Sequence, residues 1–125
     1  MILKEETARY YNPILDKSFN FAVRIIRFYK LKSVSDYSLN SLFKQLLRSG
    51  TSIGANVSEA QSAFTKKDFV NKLGIALKES RETEYWLKLF KESDIISDKE
   101  FKSLFSDCEE LSKLLTSIIK SSKEL

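Results

Sequence analysis

The chain has no histidine, one cysteine, one proline, one tryptophan and three glycines in 125 residues. Each shortage removes a class of function. Without histidine, and with Cys108 alone, neither a zinc site nor a nucleophile–histidine pair can be assembled within one chain. A ferritin-like di-iron bundle is excluded as well, because its Glu-x-x-His pairs need histidine. Cys108 has no second thiol for an internal disulfide, which fits a reducing compartment and leads to the expectation of a cytoplasmic protein. No apolar run approaches the ~20 residues of a membrane span. The opening Met1-Ile2-Leu3 meets Lys4, Glu5 and Glu6 at once, so no secretory leader is expected. These absences predict a protein without catalytic residues, cofactor or metal.

What is present is ordinary for one folded domain: 42% hydrophobic and 30% charged residues. Net charge is +4, and it is unevenly spread. Residues 1–62 carry nine Lys/Arg against five Asp/Glu, whereas the remainder is nearly balanced. The basic excess sits in the first half, where a polyanion partner would be sought.

Apolar residues recur with a helical period throughout, and no strand-like alternation interrupts them. The first helix is expected to open at Asn12-Pro13, an N-cap with proline at the first helical position, and to span about 13–32. Leu15, Phe19, Ala22, Ile26 and Tyr29 form one stripe on it. Ile14, Phe21, Ile25 and Phe28 form a second stripe beside the first, and so wide an apolar face marks a helix that is central or touches a second chain. A second helix is expected over 36–62, with Leu42, Leu46, Gly50, Ile53 and Val57 inward. The third, over 66–93, follows the capping box Thr65-Lys66-Lys67-Asp68. The fourth, over 98–121, follows the cleaner box Ser97-Asp98-Lys99-Glu100. Short connections favour antiparallel neighbours, hence an all-α, up-down-up-down four-helix bundle.

Glycine inside a helix costs about 1 kcal/mol relative to alanine, so Gly50, Gly54 and Gly74 are expected where another element presses on the backbone. Arg48, Ser52, Asn56 and Glu59 share one face of the second helix. That face reads as an interhelical hydrogen-bond network, with a recognition surface as the alternative. Lys17, Arg24 and Arg27 line the first helix, and Lys78, Arg81 and Lys88 line the third beside Tyr85. Such stripes track a phosphate backbone, or are solvated faces laced with i,i+4 pairs. Adjacent Tyr85 and Trp86 cannot both enter one core. Together with Phe21 and Phe28 of the second stripe, they are expected at an oligomer interface.

The run Gln45-Leu-Leu-Arg-Ser-Gly-Thr-Ser-Ile-Gly-Ala-Asn-Val-Ser-Glu-Ala-Gln61 and the run from Lys66 to Phe90 together resemble the signature of the four helix bundle proteins, also called the 23S rRNA-intervening-sequence proteins. The resemblance covers about Phe19 to Ile119. It implies an antiparallel four-helix bundle that assembles as a homopentameric ring. It also implies similarity to the accessory protein of diversity-generating retroelements, which binds nucleic acid and a reverse transcriptase through a basic surface. The family's small-x-x-Asn-x-x-Glu segment falls on Ser52, Ala55, Asn56 and Glu59. The chain departs at Ala60, where many relatives carry glycine, and at Arg48, where many have paired arginines. The expected function is thus a non-enzymatic oligomer binding RNA or DNA through Lys17, Arg24, Arg27, Arg48, Lys78, Arg81 and Lys88. The alternative is a protein–protein scaffold that binds no nucleic acid.

Overall fold

The structure is a computed structural model that describes the backbone of residues 2–124 and the side chains of residues 13–124. It has four helices: α1 (Ile2–Ser35), α2 (Asn40–Ala60), α3 (Lys66–Glu92) and α4 (Asp98–Glu124), with a 3-10 turn at Tyr37–Leu39 before α2. No strand occurs among the described residues. None of these helices is long and apolar enough to cross a membrane.

The helix termini show which local signals prevailed. α1 does not begin at Pro13; the proline lies inside a helix of 34 residues. Proline removes one donor and crowds one turn, and the strong helix formers before it carry the helix past that defect. At the other end Ser33 and Ser35 do not break the helix, because their hydroxyls donate back to the carbonyls of Lys30 and Lys32. Asp36 does not start α2, since its carboxylate accepts the Ser38 hydroxyl at 2.6 Å and caps no backbone N–H. Both side-chain caps form where the sequence places them, but only the second closes as a full box. Thr65 Oγ1 accepts the Asp68 N–H at 3.0 Å. Ser97 and Glu100 close the reciprocal pair, at 3.1 Å to Ser97 Oγ and 2.9 Å to Glu100 Oε1.

α3 stops in a Schellman turn: the Ile95 N–H donates to the Phe90 carbonyl and the Asp94 N–H to the Lys91 carbonyl. Asp94 occupies the left-handed position at φ 59°, where glycine is usual.

Each helix packs against its neighbour in sequence and α1 also packs on α4, whereas the diagonal pairs make no close backbone approach. Ion pairs bridge two of these seams, α1 with α4 and α2 with α3. Lys17, Arg24 and Lys32 meet Glu110, Asp107 and Glu100, and Glu59 and Arg48 meet Lys72 and Glu79. The core between the helices is fed from α1 by Ile14, Phe21, Ile25 and Phe28. Phe43 sits at its aromatic centre, with Phe28 and Phe90 edge-on at 6.2 and 5.7 Å.

That arrangement corrects the reading of α1. Phe21 and Phe28 are buried, so they do not form an oligomer surface. Positions 14, 18, 21, 25 and 28 follow the three-four spacing that keeps a helix face on a bundle axis. The neighbouring stripe is rotated away from that axis, which leaves Phe19 66% and Ile26 44% exposed.

Candidate interaction surfaces

The seam between α1 and α2 is built from small residues. A Cβ on Gly50 would lie 2.9 Å from Ile25 Cγ1, and one on Gly54 would lie 3.1 Å from the backbone carbonyl oxygen of Ser18. Ser18 is fully buried and turns its hydroxyl to the Leu15 carbonyl. With no side chain on Gly54, the α1 backbone settles into the α2 surface. Gly74 is different: a Cβ there meets nothing within 4 Å, so the expected close packing at this glycine is absent.

Beside the seam lies an open groove of about 390 Å³ between Leu15, Phe19 and Ala22 of α1 and Thr51, Gly54 and Ala55 of α2. Asp16 and Ser58 stand at its edge. A groove of this size with one charged residue suits an apolar side chain better than a charged ligand.

The polar face of α2 divides in two. Ser52 and Asn56 bond within their own helix, donating to the carbonyls of Arg48 and Ser52 at 2.6 and 2.8 Å. Arg48 and Glu59 reach across to α3. Arg48 bridges Glu79 at 3.2 Å and also pairs with Glu82, while Glu59 accepts Lys72 at 3.4 Å. The Glu79 hydrogen bond, acting against burial, lifts the Arg48 guanidinium above its ordinary value and keeps it charged.

The candidate phosphate contacts are mostly engaged inside the chain. Lys17 pairs with Glu110 and Arg24 with Asp107, and Arg24 also donates to Ser103. Arg81 pairs with Glu84, and Lys88 lies 5.5 Å over the Phe105 ring. Only Arg27 and Lys78 of that set have no partner among the described residues. Paired charges cancel each other's field at a distance, so these stripes are weaker attractors than their lysine and arginine count suggests.

Tyr85 is 57% exposed, whereas its neighbour Trp86 is half-buried against Tyr85 and Phe90 with its indole N–H unpaired. Ile75 and Leu89 are also exposed on α3, and Phe64 before it is fully exposed. Sequence reasoning placed Ile75 on the Trp86 stripe but did not single out Leu89 or Phe64. Helical spacing with Tyr85 was the available signal for Leu89.

Sequence reasoning also missed a buried polar cluster between α2, α3 and α4. Thr83 donates to Ser49 at 2.9 Å, Ser112 donates to Glu84 at 2.6 Å, and the Ser80 and Ser112 hydroxyls lie 2.7 Å apart. The Cys108 thiol donates to the Ser80 carbonyl. Burial, reinforced by the Glu84 charge, pushes this thiol far above its ordinary value, so it is a poor nucleophile. Among the described residues no group of three or more acidic or cysteine side chains is placed to hold a metal ion.

No curated protein matches this chain. A solved structure described as a protein with unknown function from the S23 ribosomal protein family of Bacteroides thetaiotaomicron VPI-5482 is 50% identical, with a TM-score of 0.82. The match covers 86% of this chain and 98% of that one. The model of the 23S rRNA-intervening sequence proteins matches residues 12–117. With a helical fold and signature segments that agree over most of its length, this chain belongs to the 23S rRNA-intervening sequence protein family.

Proposed function

We propose that the chain is a non-enzymatic, cytoplasmic building block that assembles with copies of itself. Its four helices run antiparallel, up-down-up-down, a reading supported by partner residues that descend along one helix as they ascend along the next. The pentamer is the assembly that family resemblance implies. One observation carries the self-association reading: Phe19 stays exposed on α1 in the groove beside the small residues of α2, with Ile26 exposed farther along the same α1 stripe. Large apolar side chains grouped at the edge of an open groove are what an interface core looks like before it is covered. Size-exclusion chromatography with light scattering tests this. Phe19→Asp places a charge where a partner would bury a ring, and it should convert the assembly to single chains while the helical content is unchanged. A variant that keeps the wild-type mass would remove this face from the interface.

A second reading is nucleic-acid binding, favoured by Arg27, Lys30 and Lys44, which have no carboxylate partner among the described residues. Assembly would multiply such weak patches into avidity. Anisotropy titration of labelled RNA and duplex DNA at two salt concentrations decides it. Saturable binding that falls steeply with salt supports this reading. No binding at low salt leaves self-assembly, or a protein partner, as the role.

A further inference from the structure

Among the described residues, two surfaces with exposed apolar side chains flank α2 on either side. One is the α1–α2 groove, with Leu15, Phe19 and Ala22 facing Gly54 and Ala55. The other runs along the outside of α3, where Ile75, Tyr85 and Leu89 are 42%, 57% and 36% exposed. Lys78 lies among them, because positions 75, 78, 85 and 89 share one helix face.

The strips stand at the same height in the bundle. Gly54 packs on Ser18 and Gly50 on Ile25, which places the groove against the second half of α2. On the other side Glu59 pairs with Lys72 and Ser49 with Thr83. Ile75 and Lys78 therefore stand level with the middle of the groove, and Tyr85 stands level with Ile26. A rotation about an axis parallel to the helices brings one strip onto the other without an axial shift.

The charges also agree. Asp16 at the groove edge has no cationic partner among the described residues, and Lys78 has no carboxylate partner. Glu82, the acid beside the α3 strip, is already held by Arg48. Opposite unpaired charges within matching apolar strips set both attraction and register.

We propose that the α3 strip of one copy seats in the α1–α2 groove of the next, with Ile75 filling the groove and Lys78 pairing with Asp16. This contact rests on the self-assembly reading above and adds which face meets which. It is head-to-tail: each copy uses two different surfaces, so the assembly closes into a ring when the rotation closes. Because both strips flank the same helix, successive copies turn sharply rather than extend in a line. Lys78 is then an interface residue and not a phosphate contact.

Two variants with opposite defects test the contact. Ala55→Arg blocks the groove and leaves the strip intact; Ile75→Asp disables the strip and leaves the groove intact. Both positions are exposed, and Trp86 fluorescence with far-ultraviolet circular dichroism verifies folding. By light scattering each variant alone should have the mass of one chain, and an equimolar mixture should have the mass of two. Retention of the wild-type mass by either variant, or a mixture that stays monomeric, overturns the contact. If Phe19→Asp still dissociates the protein in that case, self-assembly stands and only the proposed mate fails. A monomeric wild type overturns both. As a check on register, Lys78→Asp should weaken assembly and the double reversal Asp16→Lys with Lys78→Asp should restore it.

Discussion

At the scale of single residues, the three glycines separate local propensity from packing. All lie within helices, so propensity alone favours alanine at each by about 1 kcal/mol. At Gly74 nothing opposes it, and Gly74→Ala should raise stability by about 0.5–1 kcal/mol in urea denaturation. At Gly50 the new methyl would press on Ile25, a stiff β-branched side chain with no exposure. Overpacking of that kind costs about 1–3 kcal/mol, so Gly50→Ala should destabilise despite the better helix former. Equal effects of the two substitutions would refute the close approach at Gly50. The sequence could place all three glycines on helices, but it could not say which of them faces a neighbour. That depends on the rotation of α2 and α3 about their own axes, which only the packed bundle defines.

At the scale of elements, termini closed by a side-chain cap were legible and those set by backbone continuation were not. Thr65 and Ser97 marked α3 and α4 because their oxygens satisfy N–H groups that nothing else can reach. Pro13 misled, since a proline suited to the first turn is also tolerated as a defect inside a longer helix. The α3 terminus yields a prediction. Asp94 holds a left-handed φ of 59°, and Asp94→Gly should stabilise by about 0.5–1 kcal/mol by removing the Cβ penalty.

The α4 start yields another. Burial alone would raise the Glu100 carboxyl, but the Ser97 N–H and the Lys32 ammonium outweigh it and hold the group below its ordinary value. The unfolded chain therefore takes up the proton first. Glu100 contributes stability above its unfolded-state value and loses that contribution as pH falls through the lower folded-state value. Thermal unfolding across mildly acidic pH should show this decline, and Glu100→Gln should flatten it. A variant with the wild-type slope would mean that the cap does not depend on the charge.

At the scale of the whole molecule, the four-helix architecture was readable because amphipathic period, capping boxes and short connections all agreed. The surfaces were less so. Tyr85 is exposed, whereas Phe21 and Phe28, assigned to the same surface, lie in the core. Two apolar stripes side by side on α1 carry equal hydrophobicity, and only the positions of α2 and α4 decide which one turns inward. The cationic stripes misled for a related reason. Lys17 and Arg24 look uncompensated along α1, yet their carboxylates come from α4, more than eighty residues away in sequence.

The account centres on a bundle whose exposed apolar strips are completed by other copies of itself. Sedimentation velocity of the unmodified protein over a broad concentration range tests that most directly. The account predicts one discrete species at a whole-number multiple of the 14.5 kDa chain, persisting on dilution. A species that sediments as one chain at every concentration would contradict it.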